Sequence, residues 1–289
     1  MTFVIKADGR KEEFSRQKIL RTCLKMHAQP KVAEEIASRI EKEAFDGIKT
    51  KQILDKVFLY LKNHKPELEH GIDLKEAISK LKSKPDFEHF VADLLREYGY
   101  KVLLNQIVWG KCIEHEVDNI AMKGNETLFV EVKHHEQYHS FTGLDVFLEN
   151  KAAYDDLKEG YSEGNDKYNF TRPIVVTNTK ISEHARKYAL CRGIDFIGWK
   201  SSEERGLEGM IEEKKLYPVT ILKNLDSKIS EKFSSMNIVC LKNLLSWDSR
   251  DLSKKIGVSA EKMEEIFSRA KQIYENFNSL RKSKISGIR

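Results

Sequence analysis

The chain has 289 residues, of which 40% are hydrophobic and 33% are charged, a composition typical of a soluble globular protein with two or three domains. Its apolar runs are short, its N-terminus lacks the apolar core of a signal peptide, and its four cysteines are far apart. These features argue against a membrane protein, a disulfide framework and a cysteine zinc site. We therefore expect a cytoplasmic protein with no membrane partner.

Residues 1–84 are predicted to form a mainly helical domain. It opens with a strand, Phe3-Val4-Ile5-Lys6, a turn at Asp8-Gly9, and a second extended segment that ends at Phe14. Helical spacing of apolar residues follows. Residues 80–85 are polar and end in a proline, which we interpret as a linker.

Residues 85–200 are predicted to form an α/β domain with a mixed sheet. A helix with apolar residues at 3.6-residue spacing starts near Phe87 and stops at Gly99. Extended segments follow at 100–108, 113–122 and 128–133. A helical stretch, a buried strand at 173–178, a second helix and a final strand at 194–199 then form a β-α-β unit.

The C-terminal third is predicted to be a linker, residues 201–215, followed by an all-α domain at 217–289. Residues 200–289 hold 18 basic and 13 acidic residues, which accounts for the whole formal net charge of +5. The last nine residues contain four basic residues and no acidic one. This excess indicates either a solvated tail or a surface that attracts nucleic-acid phosphates.

The most informative segment is a predicted β-hairpin. Gly124-Asn125 lies between two apolar-rich runs, which is a signal for a two-residue turn. This turn places Asp118 opposite Glu131. Because side chains alternate along a strand, Glu131 and Lys133 share one face, while Leu128, Val130 and Val132 point to the other.

Two opposed carboxylates about 5 Å apart repel by roughly 3 kcal/mol at an effective dielectric constant near 20. A divalent cation removes this cost, since Mg²⁺ binds one or two carboxylates together with water and phosphate oxygens. Asp118 and Glu131 are thus candidate ligands for Mg²⁺ or Mn²⁺. Lys133 could orient the attacking water or neutralise charge on a phosphate. The alternative is that Asp118, Glu131 and Lys133 only form ion pairs on the solvent-exposed face of the hairpin.

The pattern Asp118…Glu131-Val132-Lys133 resembles the signature of PD-(D/E)xK nucleases. Residues 87–100 and 174–197 are similar to the first helix and the later β-α-β unit of Mrr-type restriction endonucleases and archaeal junction resolvases. The resemblance implies a restriction-endonuclease-like fold, metal-dependent cleavage of DNA, and a supporting role at the metal for Glu88. Mrr-type proteins commonly have glutamine where this chain has Glu131, which leaves the subfamily and its substrate open.

Two rival functions remain at this stage. One is a non-catalytic DNA-binding regulator that keeps the nuclease fold as a scaffold, and the other is a structure-selective junction resolvase. The opposed carboxylates favour an enzyme. A zinc site at His134, His135 and His139 is disfavoured, since no cysteine lies near them in sequence.

Residues 1–84 resemble an ATP-cone, the regulatory nucleotide-binding domain of ribonucleotide reductases. The similarity rests on Val4, Asp8-Gly9-Arg10, Phe14 and residues 45–50, and on four candidate nucleotide-binding residues, Lys6, Arg10, Glu12 and Lys18. It implies binding of ATP or dATP as a regulator and a change in homo-oligomeric state. Ala7 replaces a basic residue that is usual in the family, so a degenerate cone that only mediates association is the alternative.

Residues 217–289 resemble the helix-hairpin-helix module that precedes the core of recombinases, with Ile256-Gly257-Val258-Ser259 at the hairpin. Such hairpins present backbone N–H groups to DNA phosphates without reading sequence. Lys254, Lys255 and Lys262 are the candidate DNA-binding residues. A protein-contact role is the alternative.

Overall fold

The computed structural model describes residues 2–6, 9–25, 28, 30–64, 74–200, 206–222 and 225–286. It divides the chain into two compact units, Met1–Ile72 and Asp73–Arg289. The first unit thus ends before residue 84, where the sequence placed the end of the N-terminal domain. No helix in the described ranges is both long enough and apolar enough to cross a bilayer.

In its described residues, the first unit combines a small sheet with three helices. The strands are β1 (Phe3–Ile5), β2 (Lys11–Glu13) and β3 (Ile48–Lys49), and the helices are α1 (Arg16–Lys25), α2 (Pro30–Glu43) and α3 (Thr50–His64). Strand β1 pairs antiparallel with β2 and parallel with β3. A core of Ile19, Cys23, Ile36, Ile40 and Val57 joins the helices. Asp8, one half of the predicted turn, lies outside the described residues.

The second unit contains a five-stranded mixed sheet, as predicted. Its elements up to residue 200 are α4 (Leu74–Ser79), α5 (Glu88–Glu97), β4 (Lys101–Trp109), β5 (Glu114–Lys123), β6 (Glu126–Lys133), β7 (Phe141–Thr142), α6 (Leu144–Glu163), β8 (Arg172–Thr177), β9 (Lys180–Ile181), α7 (Glu183–Arg192) and β10 (Asp195–Ile197). The strand order is β10-β8-β6-β5-β4. Strands β4, β5 and β6 are antiparallel neighbours, whereas β6, β8 and β10 run parallel.

The β5–β6 hairpin has the register that the Gly124-Asn125 turn predicts. The pairs run from Lys123↔Glu126 to Asn119↔Val130, and Gly124 takes a φ of +58°, which favours glycine. Leu128, Val130 and Val132 are buried, as expected. Phe129 is buried as well, because this central strand is packed on both faces.

The C-terminal segment contains α8 (Leu207–Lys214), α9 (Ser227–Ser235), α10 (Leu241–Leu245), α11 (Ser249–Ile256) and α12 (Ala260–Ser286). Helix α8 lies inside the predicted linker, so the linker prediction is wrong for residues 206–215, while 201–205 lie outside the described residues. Leu207 and Ile211 are fully buried in the second unit, and this packing stabilises a helix in a stretch that is polar overall.

The C-terminal helices pack onto α5. Asn243 Nδ2 donates to Asp93 Oδ2 at 3.1 Å, and the Lys242 ammonium pairs with the Glu97 carboxylate. The Ser234 hydroxyl donates to the buried carboxylate of Asp86, just before α5. The predicted nuclease domain and the predicted helical domain therefore belong to one compact unit.

Candidate active site

Asp118 lies at a gap in the sheet. Strands β4 and β5 keep one register before and after this position, and that register puts Asn105 of β4 opposite Asp118. These two residues do not pair. Asn105 has a φ of +49°, a left-handed conformation that asparagine tolerates better than most residues. Asp118 is only 6% exposed, and its Oδ2 accepts a hydrogen bond from Val132 N at 2.8 Å. The side chain thus takes the place of a backbone partner for β6.

The paired residues of β5 and β6 end at Asn119↔Val130, and continuing this register by one residue puts Glu131 opposite Asp118. Glu131 is partly buried, and burial together with the negative charge of Asp118 raises the pKa of its carboxyl to about 7. The positive charges of Lys133 and Lys84 oppose this shift. Lys133 is exposed two residues further along β6. The structure therefore brings the three residues of the predicted signature to one region of the sheet.

Glu88 is the first residue of α5 and is 1% exposed. Asn119 Nδ2 donates to the Glu88 carbonyl at 3.3 Å, which fixes the start of the helix against β5. Both carboxylate oxygens of Glu88 are buried, and Oε1 lies 3.3 Å from Lys84 Nζ. Burial, and next the charge of Asp118, raise the pKa of Glu88. A buried carboxylate in this state is costly unless a cation compensates it.

Lys84 and Glu116 also lie at the site, and neither was predicted from the sequence. Lys84 Nζ lies 3.3 Å from Glu88 Oε1, 3.0 Å from Glu116 Oε1 and 3.4 Å from Asp118 Oδ1. Burial lowers the pKa of Lys84, but the three carboxylates outweigh it and hold the pKa above its usual value. Strand alternation could have placed Glu116 on the face of Asp118, two residues away, whereas no local pattern points to Lys84, whose backbone is extended rather than helical.

The residues present fit a divalent metal. Asp118 and Glu131 offer the one or two carboxylates that Mg²⁺ takes from a protein. Glu88, Glu116 and Asp118 gather around the ammonium of Lys84, which shows that acidic side chains are concentrated in this region. Within the described ranges, no three Asp, Glu, His or Cys side chains converge on one metal position. A Mg²⁺ ion held by these two carboxylates would complete its coordination with water and phosphate oxygens.

The histidines considered for a zinc site contact protein groups that are not metal ligands of such a site. His134 Nε2 lies 3.2 Å from the Ile78 carbonyl, and His135 Nε2 lies 3.1 Å from Thr142 Oγ1. The ring of His139 packs against the ring of Tyr138 at a tilt of 40°. His115 Nε2 lies 2.8 Å from Asp156 Oδ2, a contact that ties β5 to α6. These contacts support the fold around the site.

Three family profiles match the chain. They are the ATP cone domain at residues 2–71, a restriction endonuclease domain at 80–200, and the domain described as AF1548-like, C-terminal, at 217–274. An uncharacterized protein of Archaeoglobus fulgidus is 36% identical over 183 residues, which cover 63% of this chain and 99% of that protein. The chain belongs to the AF1548-like family.

Two further relatives agree with this assignment. A solved structure titled as a protein of unknown function, AF1548, shares 35% identity with a TM-score of 0.57 and covers 65% of this chain and 97% of that one. A second uncharacterized A. fulgidus protein is 52% identical over 42 residues, 14% of this chain and 89% of that protein. The predicted architecture of ATP-cone, restriction-endonuclease-like core with a mixed sheet, and helical C-terminal domain is therefore confirmed.

In the ATP-cone of this AF1548-like protein, Glu12 joins two of the candidate phosphate-binding residues. Its Oε2 lies 2.6 Å from Lys6 Nζ, and its other oxygen pairs with the Lys18 ammonium. Slight burial and the charges of Lys6 and Arg21 lower the pKa of Lys18. Arg10 is adjacent, since its carbonyl accepts from Lys6 N at 2.9 Å. Glu12 thus holds two ammonium groups at one end of the β1–β2 hairpin.

The C-terminal hairpin of the family domain is present as two helices, α11 and α12, joined by Gly257, Val258 and Ser259. Gly257 has a φ of +72° and ends α11. Lys254, Lys255 and Lys262 are exposed around this turn. Lys255 Nζ lies 4.8 Å from the centre of the Trp247 ring, and Lys262 Nζ lies 2.9 Å from Glu265 Oε2. Arg289 and the side chains of the basic tail lie outside the described residues.

The raised pKa of Glu131 gives a prediction for metal-free protein. An acid whose pKa rises from about 4.3 to about 7 on folding binds more protons in the folded state between these values. Its contribution to the free energy of unfolding therefore falls as pH rises through this window. Glu131→Gln in EDTA should have the stability of the wild type near pH 4.5 and gain up to about 3 kcal/mol at pH 8.

Denaturant unfolding at both pH values measures this difference. Glu114→Gln is the matched control, because Glu114 lies on the same strand as Asp118 and is exposed. The control should change stability little at either pH. An equal effect of Glu131→Gln at both pH values would contradict the coupling of Glu131 to its surroundings.

Proposed function

We propose that the protein is a metal-dependent DNA endonuclease whose activity responds to ATP or dATP. The single observation that carries the proposal is the position of Glu131 beside the buried Asp118, where burial and the charge of Asp118 raise the pKa of the Glu131 carboxyl. The restriction endonuclease domain at residues 80–200 supports a nuclease, and the ATP cone domain at 2–71 supports nucleotide regulation.

In this mechanism Asp118 and Glu131 would hold Mg²⁺ or Mn²⁺. The metal supplies polarisation of the phosphodiester and a lower pKa for an attacking water. Lys133, exposed on the strand that carries Glu131, would donate to a phosphate oxygen or orient that water as negative charge develops. Val132 N–H fixes the orientation of Asp118, and the Asn119 side chain fixes the start of α5 and with it Glu88.

Cleavage assays test the proposal. Purified protein should nick or cut DNA in Mg²⁺ or Mn²⁺ and be inactive in EDTA. Parallel assays on supercoiled, modified and branched DNA distinguish a general endonuclease from a junction resolvase, which would cut branched DNA selectively. A protein that binds these DNAs with either metal but cuts none would instead be the non-catalytic DNA-binding regulator.

We propose that the C-terminal hairpin contributes to DNA binding. The double variant Lys254→Ala/Lys255→Ala should lower affinity for all sequences alike and reduce the slope of log K against log salt by about 2, since each phosphate contact contributes about 0.9. Lys228→Ala, an exposed lysine on α9, is the matched control. An unchanged slope in the double variant would favour a protein-contact role for this hairpin.

We also propose that residues 1–72 bind ATP or dATP without hydrolysis and shift a homo-oligomeric equilibrium. Lys6 and Lys18, which now pair with Glu12, can instead donate charge-assisted hydrogen bonds to the oxygens of a triphosphate. Lys18→Ala should weaken binding at least tenfold and abolish the nucleotide response, while basal cleavage persists. Regulation requires that the nucleotide bind two assembly states with different affinity.

Calorimetry measures the binding, and light scattering measures the assembly state. Lys31→Ala, at an exposed lysine of α2, should behave as the wild type. Absence of ATP and dATP binding in the wild type would remove the regulatory proposal and leave the nuclease proposal intact.

A further inference from the structure

Lys84 is placed among the acidic side chains of the candidate site. Its ammonium lies within 3.4 Å of a carboxylate oxygen of each of Glu88, Glu116 and Asp118. These three residues come from two elements, α5 and β5. Lys84 thus brings one positive charge to a cluster in which one carboxylate, that of Glu88, is only 1% exposed.

We propose that Lys84 is an internal competitor of the catalytic divalent cation: its ammonium neutralises the acidic cluster of the metal-free protein and must leave Asp118 when the metal binds. This inference rests on the proposed function, because it assumes that Asp118 and Glu131 hold the metal. Asp118 and Glu131 would bind the metal, and Lys84 would lower the affinity with which they do so.

Electrostatics support competition rather than shared occupancy. Asp118 is buried and already accepts one hydrogen bond from Val132 N through Oδ2, while Oδ1 is the oxygen nearest Lys84. A divalent ion bound to Asp118 would lie close to an ammonium that is 3.4 Å from the same carboxylate. Like charges this close repel strongly in a partly buried site, so the bound metal and Lys84 in this position disfavour each other.

The geometry also allows Lys84 to leave. Its side chain is 57% exposed, and Glu116, the nearest of its three partners, is 55% exposed. An ammonium at the surface moves into solvent at low cost, since exposed ion pairs contribute little. Displacement therefore requires a rearrangement of one side chain.

Direct metal binding tests the inference without cleavage. Mn²⁺ titrated into the full chain in the absence of DNA, and followed by electron paramagnetic resonance, gives the Kd. Lys84→Gln should bind Mn²⁺ roughly five- to tenfold more tightly than the wild type, a modest change because the pair is half-exposed. Lys82→Gln is the matched control, as it removes the same charge from an exposed residue two positions away, and should leave the Kd unchanged.

Thermal unfolding provides a second readout. In EDTA, Lys84→Gln should melt below the wild type, because the carboxylates lose their cation, and Mn²⁺ should raise its Tm more than that of the wild type. Equal Kd values for Lys84→Gln and the wild type, or equal tightening by the two glutamine variants, would overturn the inference alone. A lack of Mn²⁺ binding by the wild type and Lys84→Gln would overturn the proposed metal site as well.

Discussion

Asp118→Asn is expected to lower Mg²⁺-dependent DNA cleavage by about a thousandfold or more, since loss of one group that stabilises developing charge already costs about 10²–10³. Asparagine is the informative replacement. The amide oxygen can still accept the hydrogen bond from Val132 N, whereas alanine would leave that buried N–H unpaired at a cost of about 1–3 kcal/mol. DNA affinity should remain close to that of the wild type.

Glu131→Gln should cause a similar loss of cleavage and, unlike Asp118→Ala, a gain in stability in EDTA. The two acids differ because Asp118 has a structural hydrogen bond, whereas the surroundings of Glu131 favour its neutral form. Glu114→Gln, at an exposed residue of β5, is the control and should cut normally. Wild-type cleavage by Asp118→Asn and Glu131→Gln would show that the active site lies elsewhere.

Ending the chain after Leu216 is expected to destabilise the nuclease core, by several kcal/mol, as well as to weaken DNA binding. The truncation removes Ser234, Lys242 and Asn243 from the surface of α5 and from Asp86 before it. Asp86 is only 8% exposed, and the truncation would leave its buried carboxylate without the hydrogen bond from Ser234. Urea denaturation of the two chains measures the effect.

A double-mutant cycle separates this contact from the general effect of truncation. Asp86→Asn and Ser234→Ala, alone and together, should give a coupling free energy of about 1–3 kcal/mol. The exposed pair Lys187 and Glu183, 3.7 Å apart on α7, is the control and should give at most about 0.5 kcal/mol. Stability unchanged by the truncation would show that the helical segment folds independently of the core.

The hairpin and its register could be predicted because the determinants are local. The Gly124-Asn125 turn fixes which residues oppose each other, and the alternation of β6 then fixes which side chains share a face. The position of Glu88 followed from resemblance to a family and could not be derived from spacing. The roles of these residues in catalysis remain predictions.

Lys84 and helix α8 were missed because tertiary contacts decide them. Lys84 lies in a polar stretch before α5, and only the approach of β5 brings Glu116 and Asp118 to it. Helix α8 has two fully buried residues, Leu207 and Ile211, too few for a clear periodic signal. The gap at Asn105 and Asp118 likewise has no signature in either strand alone.

The contacts between α5 and the C-terminal helices have a consequence for how such proteins can be recombined. A gene fusion or evolutionary exchange that cuts between residues 200 and 217 would separate Asp93 and Glu97 from Asn243 and Lys242. A cut at the boundary of Ile72 and Asp73 leaves each compact unit with its own sheet and core. We therefore expect that the cone can be exchanged by itself, whereas the nuclease domain and the C-terminal helices must be exchanged together.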